Sequence, residues 1–241
     1  MMGSTTNYEN VTLCKLALAS TMYDSLTPFN YSIGRLNKAT GSSIDLANRA
    51  HRLFLMEWLN NWGCRHLSKD QHDVASNSIL NWYQLDGASL FTNEKPLWDL
   101  EDHELEIAAR AYGSLKDKTG ARRVRGGSKQ EVHIGPTAAS KILFAIRPKA
   151  LMPWDEAMRI SFECDGSPES YFKYLITIRN LTLHIRDLCR NKGFQINDLP
   201  QKLERPNSTV LALVNEYIWV TETRKVELPS SETLTQWASL G

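Results

Sequence analysis

Two groups able to act together stand twenty residues apart in this chain: the turn at Gly135-Pro136 and the carboxylate of Asp155. The turn lies in the run Val132-His133-Ile134-Gly135-Pro136-Thr137-Ala138-Ala139-Ser140-Lys141-Ile142-Leu143, and the acid closes Pro153-Trp154-Asp155. Glycine allows close approach to the backbone, and proline suits the first turn of a helix, where its missing N–H costs nothing. The free N–H groups of that turn and the positive end of the helix dipole suit a phosphate oxygen. Such a contact reads the nucleic-acid backbone and no base. His133, Gly135, Pro136, Thr137 and Ala138 are the candidate contacts, with Ser140 and Lys141 one turn on to add a hydroxyl and a charge. Gly-Pro-Thr-Ala-Ala is also an ordinary helix start, and Asp155 after Pro-Trp is a good N-cap for the helix that follows. The residues alone leave both readings open.

A second phosphate-binding candidate lies just upstream. Lys plus Arg is 28 against 27 Asp plus Glu, so the global charge says nothing about an acidic partner. Between residues 116 and 129, however, Lys116, Lys118, Arg122, Arg123, Arg125 and Lys129 face the single acid Asp117. A Gly-rich basic loop over 120–129 is expected, able to order on a DNA backbone; Arg122, Arg123, Arg125 and Lys129 are its candidate contacts. A solvated loop is the plain alternative.

Other chemistries find little support. Cys14, Cys64, Cys164 and Cys189 form no C-x-x-C pair and stand at no zinc spacing, so buried free thiols are expected, with no metal and no iron–sulfur cluster. The six histidines form no H-x-x-x-H or H-E-x-x-H pair. There is no phosphate-binding Walker loop and no G-x-G-x-x-G, so no nucleotide cofactor is expected. Neither a signal peptide nor an apolar run of membrane-spanning length is found, so a cytoplasmic monomer without a membrane partner is expected.

The elements that must position these groups read as helices. Apolar residues recur at three- and four-residue spacing and alternation is almost absent. Helices are predicted over 12–21, from a Ser42-Ser43 cap to Gly63, and over 70–85, 100–115, 137–146, 168–191 and 208–220. A short one follows Asp155. The aromatic-rich stretch 81–98 reads as an irregular connection, and the tail 228–241 as loosely packed. The expected fold is all-α, with two helical lobes in one compact unit: 1–115, then 116–227 with the basic loop and the hairpin. A cleft between them would be lined by the hairpin and the Asp155 helix.

At these residues the chain resembles the helix-hairpin-helix DNA glycosylase superfamily. That family's pattern is roughly Leu-Pro-Gly-Val-Gly-x-x-Thr-Ala, a helix, and an apolar segment ending in aspartate about twenty residues on. Ile134-Gly135, Ala138-Ala139, Ile142-Leu143-Phe144-Ala145 and Met152-Pro153-Trp154-Asp155 match it without a gap. The likeness covers about 30 of the 241 residues. Two departures stand out: His133 replaces the first hairpin glycine, and Glu131-Val132 replaces the Leu-Pro pair.

The resemblance implies an enzyme that hydrolyses the N-glycosidic bond of a damaged or modified base in double-stranded DNA. Asp155 would be the catalytic carboxylate, stabilising the positive charge that builds on the sugar and orienting the attacking water. The base must leave the stack, which asks for an aromatic pocket, with Trp154 beside the acid as its candidate wall. Some relatives use a lysine two residues after the hairpin glycine as a Schiff-base nucleophile. Thr137 stands there and cannot serve, so a monofunctional enzyme is expected, with Lys141 in reserve. The target could be an oxidised or alkylated base in repair, or a bulky pyrimidine of phage DNA in defence. The alternatives are a non-catalytic hairpin module holding DNA or RNA, and a helical protein-interaction domain.

Overall fold

The computed structural model describes residues 10–67, 69–125 and 128–240. The chain is mainly helical. In order it forms α1 (Leu13–Leu26), α2 (Phe29–Thr40), α3 (Arg49–Asn61), α4 (His72–Leu85) and α5 (Asp102–Lys116). A two-stranded antiparallel sheet follows, β1 (Thr119–Arg125) and β2 (Ser128–His133). Then come α6 (Gly135–Ile146), α7 (Glu156–Ser161), α8 (Pro168–Asn191), α9 (Leu199–Lys202), α10 (Val210–Ile218) and α11 (Ser231–Ala238). A π-turn, Trp219–Thr223, extends α10. No described helix is long and apolar enough to cross a membrane.

Local chemistry sets most helix starts. Thr12, Asn48, Asp155, Ser167, Thr209 and Ser230 each accept a first-turn N–H through a side-chain oxygen, satisfying donors that have no partner within the helix. Ser42-Ser43 is not the cap that the sequence suggests. Gly41, at φ 65°, ends α2 in the left-handed region, and Asn48 starts α3. Helix α2 itself is not foreseen from the sequence, and α11 lies in the tail expected to be loose. The stretch expected to be irregular begins inside α4, where Trp82 is fully buried.

The basic segment is a β-hairpin, not a loop. Arg122 pairs with Glu131, Arg123 with Gln130 and Val124 with Lys129. Ala121 is fully buried at the base of the ribbon, while Val124 farther out stands in solvent. The Gln71 side chain bonds both the N–H and the carbonyl of Arg122, closing the free edge of β1 as a neighbouring strand would. Gly126, Gly127 and the side chains of Arg125 and Lys129 lie outside the described residues. The chain therefore enters α6 from a strand rather than from a helix, and the motif at Gly135 is strand–turn–helix.

One continuous core runs from Val11 to Ile218. It draws on both halves of the chain, so the division near residue 115 separates no cores. Helix α5 packs on α8 and α6, α3 on α2 and α4, and α1 on α10.

Candidate functional site

The segment leading to Asp155 is fixed from several sides. Trp154 is 1% exposed. Its ring packs against Tyr112, Tyr171 and Tyr174 at 5.6, 4.9 and 5.2 Å between centroids. Its indole N–H donates to the carbonyl of Pro136 at 3.1 Å, and its backbone N–H to Ser140 Oγ at 3.2 Å. Tyr171 and Tyr174 donate their hydroxyls to the carbonyls of Met152 and Pro153. Every polar atom of 152–154 thus named has a partner inside the protein, as burial demands. Trp154 is therefore a core residue and cannot be the open pocket wall that the sequence suggested; no face of its ring is free to stack a base.

Asp155 emerges from this frame half-buried. Its Oδ1 accepts from Met158 N at 2.8 Å, capping α7, and its Oδ2 accepts from Thr223 Oγ1 at 2.9 Å. The carboxylate is thus turned onto its own helix backbone and is tied on its other side to the π-turn. Tyr23 lies within reach of its charge, and that phenol is pushed well above its ordinary pKa, first by burial and then by Glu216, Asp24 and Asp155. Tyr23 packs edge-on to Trp219 at 5.0 Å, and Trp219 neighbours Phe29. Both Trp219 and Phe29 are partly exposed, and the Arg224 guanidinium lies over the Trp219 ring at 5.6 Å.

Lys141 is buried. Its Nζ donates to the Trp62 carbonyl at 2.5 Å and lies 5.3 Å from the centroid of the Trp62 ring. Burial lowers its pKa, opposed by the charges of Cys64 and Asp155. The Cys64 thiol is itself pushed up by burial, opposed by Lys141. A buried amine of lowered pKa has more of its nucleophilic neutral form than a surface lysine. It is turned inward, however, and does not reach out to a phosphate. Ser140 and Ala138 are also fully buried; Ser140 Oγ is used on Thr137 O and Trp154. These three residues face no phosphate and belong to the frame.

What remains for a phosphate is the start of α6. Gly135, Pro136 and Thr137 are partly exposed and His133 is exposed. Gly135 sits at φ 77°, in the left-handed region that favours glycine, and a Cβ there would meet nothing within 4 Å. Ile134 provides no side-chain cap for the first-turn donors of α6. Arg123 Nη2 donates to His66 O at 3.0 Å, and His66 Nε2 donates to Ile134 O at 2.9 Å. The hairpin base is thereby tied to the residue before Gly135. Arg122 points elsewhere, making a 3.5 Å ion pair with Glu131 between two exposed side chains.

Asp155 and Gly135 are legible as candidates in the sequence, whereas Thr223, Tyr23 and Trp219 are not. These come from positions distant from Asp155 in the chain, Thr223 being 68 residues away, and no local pattern marks them. A cavity of about 260 Å³, walled by Trp58, Phe144, Asn30 and Arg205, lies at the other end of α6 and includes neither Asp155 nor Lys141. No three His, Cys, Asp or Glu side chains gather as a metal site among the described residues.

No family model, no curated protein and no solved structure matches the chain. The likeness to the glycosylase superfamily rests on the residues quoted for it.

Proposed function

We propose that this protein is a DNA glycosylase that hydrolyses the N-glycosidic bond of a damaged or modified base, with Asp155 as its catalytic carboxylate. One observation carries the reading. The residue before Asp155 is hydrogen-bonded to the first two turns of α6, through Pro136 and Ser140, which ties the lone carboxylate to the helix start that this reading takes as the phosphate grip. Backbone N–H groups at Gly135 and Thr137 would hold the DNA strand, aided by Arg123 and His133. In the reaction the C1′–N bond breaks and the base leaves with the bonding electrons. Positive charge develops on the sugar beside Asp155, which stabilises it. A water oxygen then bonds C1′ and gives its proton to the carboxylate or to solvent. Trp219 and Phe29 offer the aromatic surface for the extruded base. The test is release of free base from modified DNA.

The second reading is a non-catalytic grip on nucleic acid. It is favoured by the same Asp155 geometry, since Oδ1 caps α7 as a purely structural aspartate would.

Two expectations follow from named residues. Replacing Arg122, Arg123 and Arg125 by alanine should weaken binding to all duplexes alike. For every phosphate that is no longer neutralised, the slope of log affinity against log salt should flatten by about 0.9. A salt titration of duplex binding checks this, and an unchanged slope would make the hairpin a solvated structural ribbon. The product should be an intact abasic site, because Thr137 offers no amine and the Lys141 amine is held on the Trp62 carbonyl. Borohydride should trap no covalent adduct; an adduct that vanishes in Lys141→Ala would make Lys141 the nucleophile.

A further inference from the structure

The π-turn after α10 grips α7 at both ends. Thr223 Oγ1 donates to Asp155 Oδ2, at the N-cap of α7, and Ser161 Oγ, in its last residue, donates to Glu222 Oε2. Two consecutive residues of one turn thus hold a helix of only six residues, reached across 68 and 61 positions of sequence. A helix so short has little stability of its own, so its orientation is set by such contacts. The turn is a local departure from α-helical winding. One extra residue rotates everything beyond it by about 100° relative to the α register, the angle that one residue occupies at 3.6 per turn. Thr223 reaches Asp155 in that altered register. Trp219, the first residue of the same turn, packs against Tyr23, which lies within reach of the Asp155 charge.

We propose that Thr223 is a positioning residue, and that the Trp219–Thr223 π-turn is the device that aims the Asp155 carboxylate. This rests on the glycosylase reading above. The cap to Met158 N restrains the carboxylate's last torsion through one hydrogen bond on one oxygen. The Thr223 hydroxyl bonds the second oxygen and narrows the same torsion from the other side. Thr223 touches neither sugar nor base in this scheme and acts only through Asp155. A reacting group must be held to within roughly 0.5 Å, and a misplacement of about 1 Å can cost on the order of 100-fold in rate.

The test is single-turnover and steady-state base release by Thr223→Val and Thr223→Ser, beside the wild-type protein. Valine keeps the shape and removes the hydroxyl; serine restores it. The expected result is a kcat lowered roughly 10- to 100-fold in Thr223→Val, with KM within about 2-fold and kcat recovered in Thr223→Ser. If the valine variant does not fold, Thr223→Ala provides the same deletion without the extra methyl group, with circular dichroism as the control. A folded Thr223→Val or Thr223→Ala protein with wild-type kcat overturns the positioning role and leaves the glycosylase reading standing. A loss confined to KM, or one that serine does not recover, overturns it as well. A wild-type protein that releases no base from any DNA overturns both.

Discussion

Asp155→Asn is expected to lower base release by roughly 10²- to 10⁴-fold while leaving duplex binding within a few-fold. The substitution isolates charge from geometry at this position. Asparagine is as good an N-cap as aspartate, so its Oδ1 can still accept from Met158 N, as Asp155 does at 2.8 Å. The Thr223 hydroxyl, which now donates to Oδ2, can turn and accept from the amide. Both contacts survive, and the only loss is the negative charge. That charge contributes about 0.3–1 kcal/mol at a helix N-terminus, too little to unfold the protein. It is, in the proposed reaction, the principal stabiliser of the sugar cation, an interaction made in the transition state and not in docking. Single-turnover base release and a gel-shift titration on the same DNA measure the two quantities separately. A correctly folded variant with near-wild-type release would remove Asp155 from the chemistry and leave it a helix cap.

The second large effect falls on stability. Trp154→Ala should destabilise the protein by about 3–5 kcal/mol, the cost usual for deleting a fully buried aromatic ring. Three tyrosine rings would face the resulting cavity, and the Pro136 carbonyl would be deprived of the indole N–H that bonds it at 3.1 Å. Against a total stability of roughly 5–15 kcal/mol, that is a large share. Because Trp154 joins the Asp155 segment to the first turn of α6, the surviving folded fraction should also lose activity. A denaturant titration gives the first quantity. A shift under about 1 kcal/mol would mean that Trp154 is replaceable packing, and that the frame around Asp155 is held by the tyrosine hydroxyls alone.

The contrast between Trp154 and Asp155 shows what the residues disclose before folding. Spacing alone placed Asp155 at a helix start, since proline, an acid and an apolar periodicity form a local signal. It could not tell which side of the neighbouring Trp154 would be covered, because Tyr112, Tyr171 and Tyr174 arrive from distant helices. Thr223 was out of reach for the same reason: nothing around it predicts a π-turn. The hairpin was partly legible. A Gly-Gly pair stands between two runs of similar length, Thr119–Arg125 and Ser128–His133, which is a hairpin signature. Both faces of the ribbon are exposed beyond Ala121, so its residues carry no apolar–polar alternation to read. Helix α2 was obscured by composition. Its segment FNYSIGRLNKAT carries glycine, asparagine, serine and threonine, all poor helix formers. It is helical because burial of Ser32, Leu36 and Thr40 against the rest of the fold outweighs propensity. Lys141 looked like a surface cation on a helix and lies instead buried against Trp62, its amine bonded to the Trp62 carbonyl.

The most direct measurement is mass spectrometry of the small molecules set free when the protein is incubated with DNAs carrying different base modifications, alkylated, oxidised and bulky pyrimidine forms among them. The wild-type protein should release one class of free base and leave abasic sites that break only after alkali, and Asp155→Asn should release that base at least about 100-fold more slowly. No released base from any of the DNAs, or equal release by wild type and Asp155→Asn, would contradict base excision by Asp155.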